Sequence, residues 1–204
     1  MRDSIKFAVV IGLLLLAACS EAGAPDSVTD EQRNETGRHM MEIKTAMDHV
    51  SIDKWKASNL FKVPLKDMRG AALLGEAIKK EVFSEDLCKW LVIPGGKDKA
   101  ADGAAVKSSG TLPGDNCSFC VPKGAELLSV RKGDGKNLKV LICPNSRNWA
   151  FFGDKIPMFF NVGAEPVIVT YAHMKRDFDI TEDEWKDPAG KLFGKKAPFD
   201  KVYE

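Results

Sequence analysis

An excess of charge of either sign is what this sequence most plainly lacks. Thirty basic residues stand against 29 acidic ones, and the two become equal if Arg2, Lys6 and Asp3 leave with a leader. A near-zero net charge argues against nucleic acid or an anionic membrane surface as an electrostatic partner. Histidine is also scarce. His39 and His49 lie too far apart for a helical metal-ligand pair, and they and His173 read as surface or capping residues. There is no Gly-x-Ser-x-Gly, His-Glu-x-x-His, Walker or Gly-x-Gly-x-x-Gly pattern. The usual starting points of hydrolase, zinc-protease and nucleotide sites are therefore missing. No repeat period appears, and the reading includes no catalytic residue, metal or cofactor.

Long hydrophobic runs are missing as well, apart from the start. Phe7 to Ala18 carries no charge, but a membrane-crossing helix needs about 20 apolar residues, so this run has the length of a signal-peptide core instead. Arg2 and Lys6 precede it. Leu16-Ala17-Ala18-Cys19 follows the pattern Leu-Ala/Ser-Ala/Gly-Cys and resembles the lipobox of bacterial lipoproteins. The resemblance implies cleavage before Cys19 and a diacylglycerol on its thiol. Residues 1–18 are then a signal peptide and 19–29 a flexible tether. Two or more acyl chains hold a protein firmly to a bilayer, whereas one gives only marginal binding. Ser20, where some Gram-negative lipoproteins carry an Asp that retains them in the inner membrane, favours an outer membrane if the cell has one.

Four cysteines remain after Cys19: Cys88, Cys117, Cys120 and Cys143. An even number in an exported chain is the pattern of disulfides. Four allow three pairings, and Cys88–Cys117 with Cys120–Cys143 would tie the helical half to the strands. Cys117-Ser118-Phe119-Cys120 also has the spacing of a redox pair, and with Cys88 and Cys143 could supply four zinc thiolates. Pro122 and Gly124 leave no long helix to lower a thiol pKa, and Val121 stands where haem attachment needs His. The acidic run Asp177, Asp179, Glu182, Asp183 and Glu184 lacks the ordered spacing of a Ca²⁺ loop.

Along the chain, residues 30–204 read as one domain. Thr29 with Gln32 makes a capping box for a helix from Asp30. Met40, Ile43, Met47 and Val50 form its apolar stripe. Trp55, Leu60 and Phe61 are core anchors in the connector that follows. A second helix spans roughly Leu65 to Phe83, buried through Met68, Ala71, Leu74, Ile78 and Val82. Gly70 and Gly75 each cost it about 1 kcal/mol against Ala and let another element approach closely. Ser84 caps a further turn carrying Cys88. Residues 94–116, nearly free of apolar bulk, read as a long mobile loop. Beyond Cys120 the pattern turns to β: Glu126–Lys132 and Asn137–Cys143 around Gly133-Asp134-Gly135-Lys136, then Trp149–Phe152, Ile156–Val162 and Pro166–Tyr171. Val167-Ile168-Val169 is apolar enough to be buried on both faces. Thr181 with Glu184 starts a turn around Trp185. Phe193, Phe199, Val202 and Tyr203 are docking points of a turn-rich end.

Helices first and strands later predict an α+β domain, N-terminal helices packed on an antiparallel sheet. That order, with Asp115-Asn116-Cys117-Ser118-Phe119 and Ile142-Cys143-Pro144-Asn145, resembles the soluble part of type IV pilin-like and pseudopilin-like proteins. The chain departs from them in having no Gly-Phe-Thr-Leu-Ile-Glu cleavage site and no long hydrophobic assembly helix. The expected function is a lipid-anchored, non-enzymatic binding or structural role in the cell envelope, facing the periplasm or exterior. Its expected partners are the membrane, through the lipid, and an envelope protein. The alternative is an envelope thiol–disulfide or zinc-binding protein using Cys117 and Cys120. Cys19→Ser is expected to abolish lipidation and leave a soluble or unprocessed form in membrane fractionation; a processed membrane lipoprotein from this variant would refute the lipobox reading.

Overall fold

A computed structural model describes residues 28–49, 68–122, 140–160, 165–188 and 202–203. The fold is α+β, as its sequence order predicts. The lipobox with Cys19, the anchors Trp55, Leu60 and Phe61, the turn at Gly133–Lys136, and Phe193 and Phe199 lie outside the described residues. Among the described residues no helix is long and apolar enough to cross a membrane.

Helix α1 spans Asp30–His49. The predicted capping box forms: Gln32 N donates to Thr29 Oγ1 at 3.2 Å, and Thr29 N donates to Gln32 Oε1 at 2.9 Å. Met40, Ile43 and Met47 are its buried stripe. Val28, placed by the sequence in a flexible tether, is packed into the core. His39 is not a surface residue. Its Nδ1 donates to the Val92 carbonyl at 2.7 Å, and its ring meets Trp90 edge-on at 4.9 Å. That backbone carbonyl satisfies the polar edge that burial would otherwise leave stranded.

Helix α2, Gly70–Lys79, buries Leu73, Leu74, Ala77 and Ile78. It ends where Glu81 takes a left-handed conformation, φ +56°. Ser84 caps a 3-10 turn, Glu85–Trp90, as read from the sequence. The expected loop at 94–116 is structured instead. Asp102 caps α3, Gly103–Ser109, by accepting from Ala104 N and Ala105 N, and a 3-10 turn follows at Gly114–Asn116. Val106 and Leu112 are the two large apolar residues of this stretch, and both reach the core. Local capping and two anchors contribute order where composition signals only polarity.

Among the described residues the sheet has five strands: β1 Phe119–Pro122, β2 Val140–Pro144, β3 Ile156–Phe160, β4 Val167–Val169 and β5 Val202–Tyr203. Their order is β4-β3-β2-β1-β5, and every pairing is antiparallel. Every residue of β1, β2 and β3 is buried, so both faces of the sheet centre are covered. Helix α1 lies against β3 and β2, and α2 against β1. β4 was expected to be buried on both faces. It is an edge strand, with Val167 at 50% and Ile168 at 39% exposure. β5 was not foreseen; the chain end adds to the sheet beside β1. The expected strand Trp149–Phe152 is a helix, α4, Ser146–Phe152. Asn145 at its N-cap accepts from Asn148 N, an Asx-type start that outweighs the β-propensity of the aromatics.

Gly37 and Gly75 separate helix propensity from close approach. A Cβ on Gly75 would lie 2.6 Å from the Gly110 carbonyl oxygen and 2.8 Å from Leu112 N, whereas one on Gly37 would meet Pro166 Cγ at an ordinary 3.4 Å. Both substitutions to Ala gain up to about 1 kcal/mol of helix propensity, but backbone overpacking costs about 1–3 kcal/mol. Gly37→Ala is expected to raise the urea midpoint and Gly75→Ala to lower it. Shifts of the same sign would contradict this packing.

Candidate functional site

Helix α4 carries two sets of side chains with different tasks. Arg147 and Asn148 serve a polar hub. Asp98, whose side chain is 6% exposed, is its centre. Ser118 Oγ donates to Asp98 Oδ2 at 2.6 Å, Asn148 Nδ2 to the same oxygen at 2.8 Å, and Arg147 through Nε at 3.2 Å and Nη2 at 3.1 Å. Arg147 Nη2 also donates to the carbonyls of Cys117, at 2.8 Å, and Gly114. Ser118 Oγ accepts from Ile93 N, and Asn145 Nδ2 donates to the Cys117 carbonyl. Burial by itself would raise the Asp98 carboxyl, but the hydrogen bonds from Arg147, Ser118 and Asn148 outweigh it and hold the group below the usual carboxylate range.

Ser146, Trp149, Ala150 and Gly153 form the second set, recurring at helical spacing along one side of α4 and its C-cap. They line a cavity of about 450 Å³ with Asp154, Tyr171, Glu182, Trp185, Lys186 and Pro188. Three capping arrangements hold the opposite wall. Thr170 and His173 form a capping box at the start of α5, Tyr171–Phe178. Thr181 and Glu184 do the same for α6, Glu182–Lys186, and turn Trp185 inward. Asp154 Oδ1 accepts from Tyr171 N at 2.9 Å. Trp149 and Trp185 meet edge-to-face with centroids 5.2 Å apart, and Tyr171 lies tilted against Trp185 at 6.2 Å. The cavity stays open because α4 presents small side chains to these rings. Gly153, at φ +60°, has nothing within 4 Å of an added Cβ. Glu182 pairs with Lys186 at the rim, which lowers the carboxyl and raises the amine.

The structure corrects the cysteine reading. Cys88, Cys117, Cys120 and Cys143 are all buried, and no disulfide joins them. One expected pair is nevertheless adjacent: Cys120 sits opposite Cys143 in the β1–β2 register. The β ladder and the hub already hold these segments, and the thiols act as small apolar fillers. Burial pushes the Cys117 thiol up to about 11, and it raises Cys88 as well. Among the described residues no group of three or more His, Cys, Asp or Glu side chains is placed to hold a metal ion. The acidic run is occupied by local pairing: Asp177 with Arg176, Glu182 with Lys186, and Glu184 at the α6 cap. No family model, curated protein or solved structure matches this chain.

Two expectations hid the hub and the cavity: a strand at Trp149–Phe152 where α4 stands, and a mobile loop at 94–116 where Asp98 is held. The usable signal was Asn145 followed by Asn148, a helix start that sets Ser146, Trp149, Ala150 and Gly153 on one side. Asp98→Asn is expected to lose about 1–3 kcal/mol at pH 7, the cost of a broken buried hydrogen-bond set. The native contribution is complete above the ordinary carboxylate range near pH 4 and disappears as pH falls through the lower folded value. The gap between native protein and variant in chemical denaturation should therefore close in acid. A pH-independent gap would count against a charged Asp98.

Proposed function

We propose that this chain is a lipid-anchored domain of the cell envelope that works by binding rather than by catalysis. The observation that carries the binding role is the preformed cavity between α4 and α6, walled by Trp149, Tyr171 and Trp185 and rimmed by Asp154, Glu182 and Lys186. Largely apolar pockets of this size with a few polar groups are the usual form of a small-ligand site. The lipobox ending at Cys19 supports the anchorage, and the neutral charge balance speaks against nucleic acid. An envelope protein is the macromolecular partner this placement favours. A pseudopilin-like shape is compatible with α1 lying against an antiparallel sheet, and the lipobox in place of an assembly helix sets such a domain apart from a pilus subunit.

The competing role, thiol–disulfide exchange or zinc binding by Cys117 and Cys120, needs an accessible thiolate or a converging ligand set. Burial of the pair and the raised Cys117 thiol oppose the first. Palmitate labelling of the native protein, with the mature N-terminus read by mass spectrometry, tests the anchor; an unlabelled chain beginning at Met1 refutes it. Thiol titration tests the binding role against the redox one. The native protein is expected to react slowly at neutral pH, with Cys88, Cys117, Cys120 and Cys143 becoming reactive on denaturation. Fast labelling of the native protein, or stoichiometric bound zinc, would favour the thiol reading.

A further inference from the structure

We infer that the α4–α6 cavity takes a neutral pyranose unit of an envelope glycan. This inference rests on the binding role proposed above and names its ligand class. The wall and the rim ask for different things of a ligand. Trp149, Tyr171 and Trp185 supply apolar ring surface, which suits the C–H faces of a sugar ring. The rim supplies both kinds of hydrogen-bonding group: carboxylate acceptors at Asp154 and Glu182 and an ammonium donor at Lys186. A hydroxyl both donates and accepts, so a polyhydroxylated ring can use the bonding capacity left on all three, Asp154 beside its Tyr171 N bond and Glu182 and Lys186 beside their pairing, without carrying charge.

Charged ligands fit less well. Aromatic walls with carboxylates are also the setting for a quaternary ammonium ion, but here the Lys186 ammonium lines the same cavity and is paired with Glu182. A bound cation would face that ammonium. A bound anion would face Asp154 and Glu182. Access comes from the α4 side, where Ala150 is exposed and Gly153 leaves open space. The predicted lipid anchor would hold this opening close to the surface where such glycans lie.

Isothermal titration of the full mature chain tests the assignment, with chitotriose, cellotriose and maltotriose as sugar probes and tetramethylammonium as the cationic one. At least one sugar is expected to bind saturably. Ala150→Phe, which fills the mouth from an exposed position, should weaken it by about tenfold or more, equal to about 1.4 kcal/mol. Glu182→Gln, also exposed, should weaken it less, and both variants should keep the native melting profile. Failure of all three sugars overturns the inference, as does sugar binding indifferent to Ala150→Phe. Tetramethylammonium binding that Ala150→Phe removes, with no sugar binding, overturns the sugar assignment while leaving a binding function in place.

Discussion

The described part of the molecule depends on one carboxylate. Asp98 brings a sharply polar charge under the surface, and such a group is tolerated only when its oxygens are fully engaged. Its partners come from two distant places. Ser118 belongs to the entry of β1, while Arg147 and Asn148 belong to α4. Arg147 then reaches on to the carbonyls of Gly114 and Cys117. The same few atoms therefore fix the segment after Ile93, the start of the sheet and the helix after β2. A chain stretch with only two large apolar anchors is held in place largely by this engagement.

That arrangement bears on the cavity. Helix α4 is short, and short isolated helices are marginal in water. It is held at one end by the Asn145 cap and through its first turn by Asp98, while Trp149 and Phe152 are buried. Its remaining side can then be small and open without unravelling. The hub and the cavity share no side chain, yet both require α4 to keep its position. A site built on an element fixed in this way is preorganised, so little ordering is left to oppose ligand capture.

Much of the fold could be read in the residues. The Thr29–Gln32 and Thr181–Glu184 boxes, the Ser84 cap and the Met40–Ile43–Met47 stripe are local signals, and local physics decides them. Gly75 was legible as a point of close approach, though not what would approach. What stayed hidden was non-local. Nothing near Asp98 in sequence announces Arg147, and nothing near His39 announces the Val92 carbonyl. Val167-Ile168-Val169 has the composition of a central strand, but its place at the edge depends on which strand pairs with it. The cysteines show the same divide: the pairing that would tie the helical half to the strands set Cys120 with Cys143, its neighbour across β1–β2, whereas whether thiols bridge depends on packing that the sequence does not encode.

The hub also bears on how the chain reaches its native state. Its bonds close spans of 20, 49 and 50 residues. Loops of that length must close before the interaction gives any return, and contacts of large sequence separation slow folding. The hub of the 94–116 region is complete only when β1 and α4 are both in place. The amides of that region should open to exchange together with the sheet centre rather than fray one by one like an ordinary surface loop.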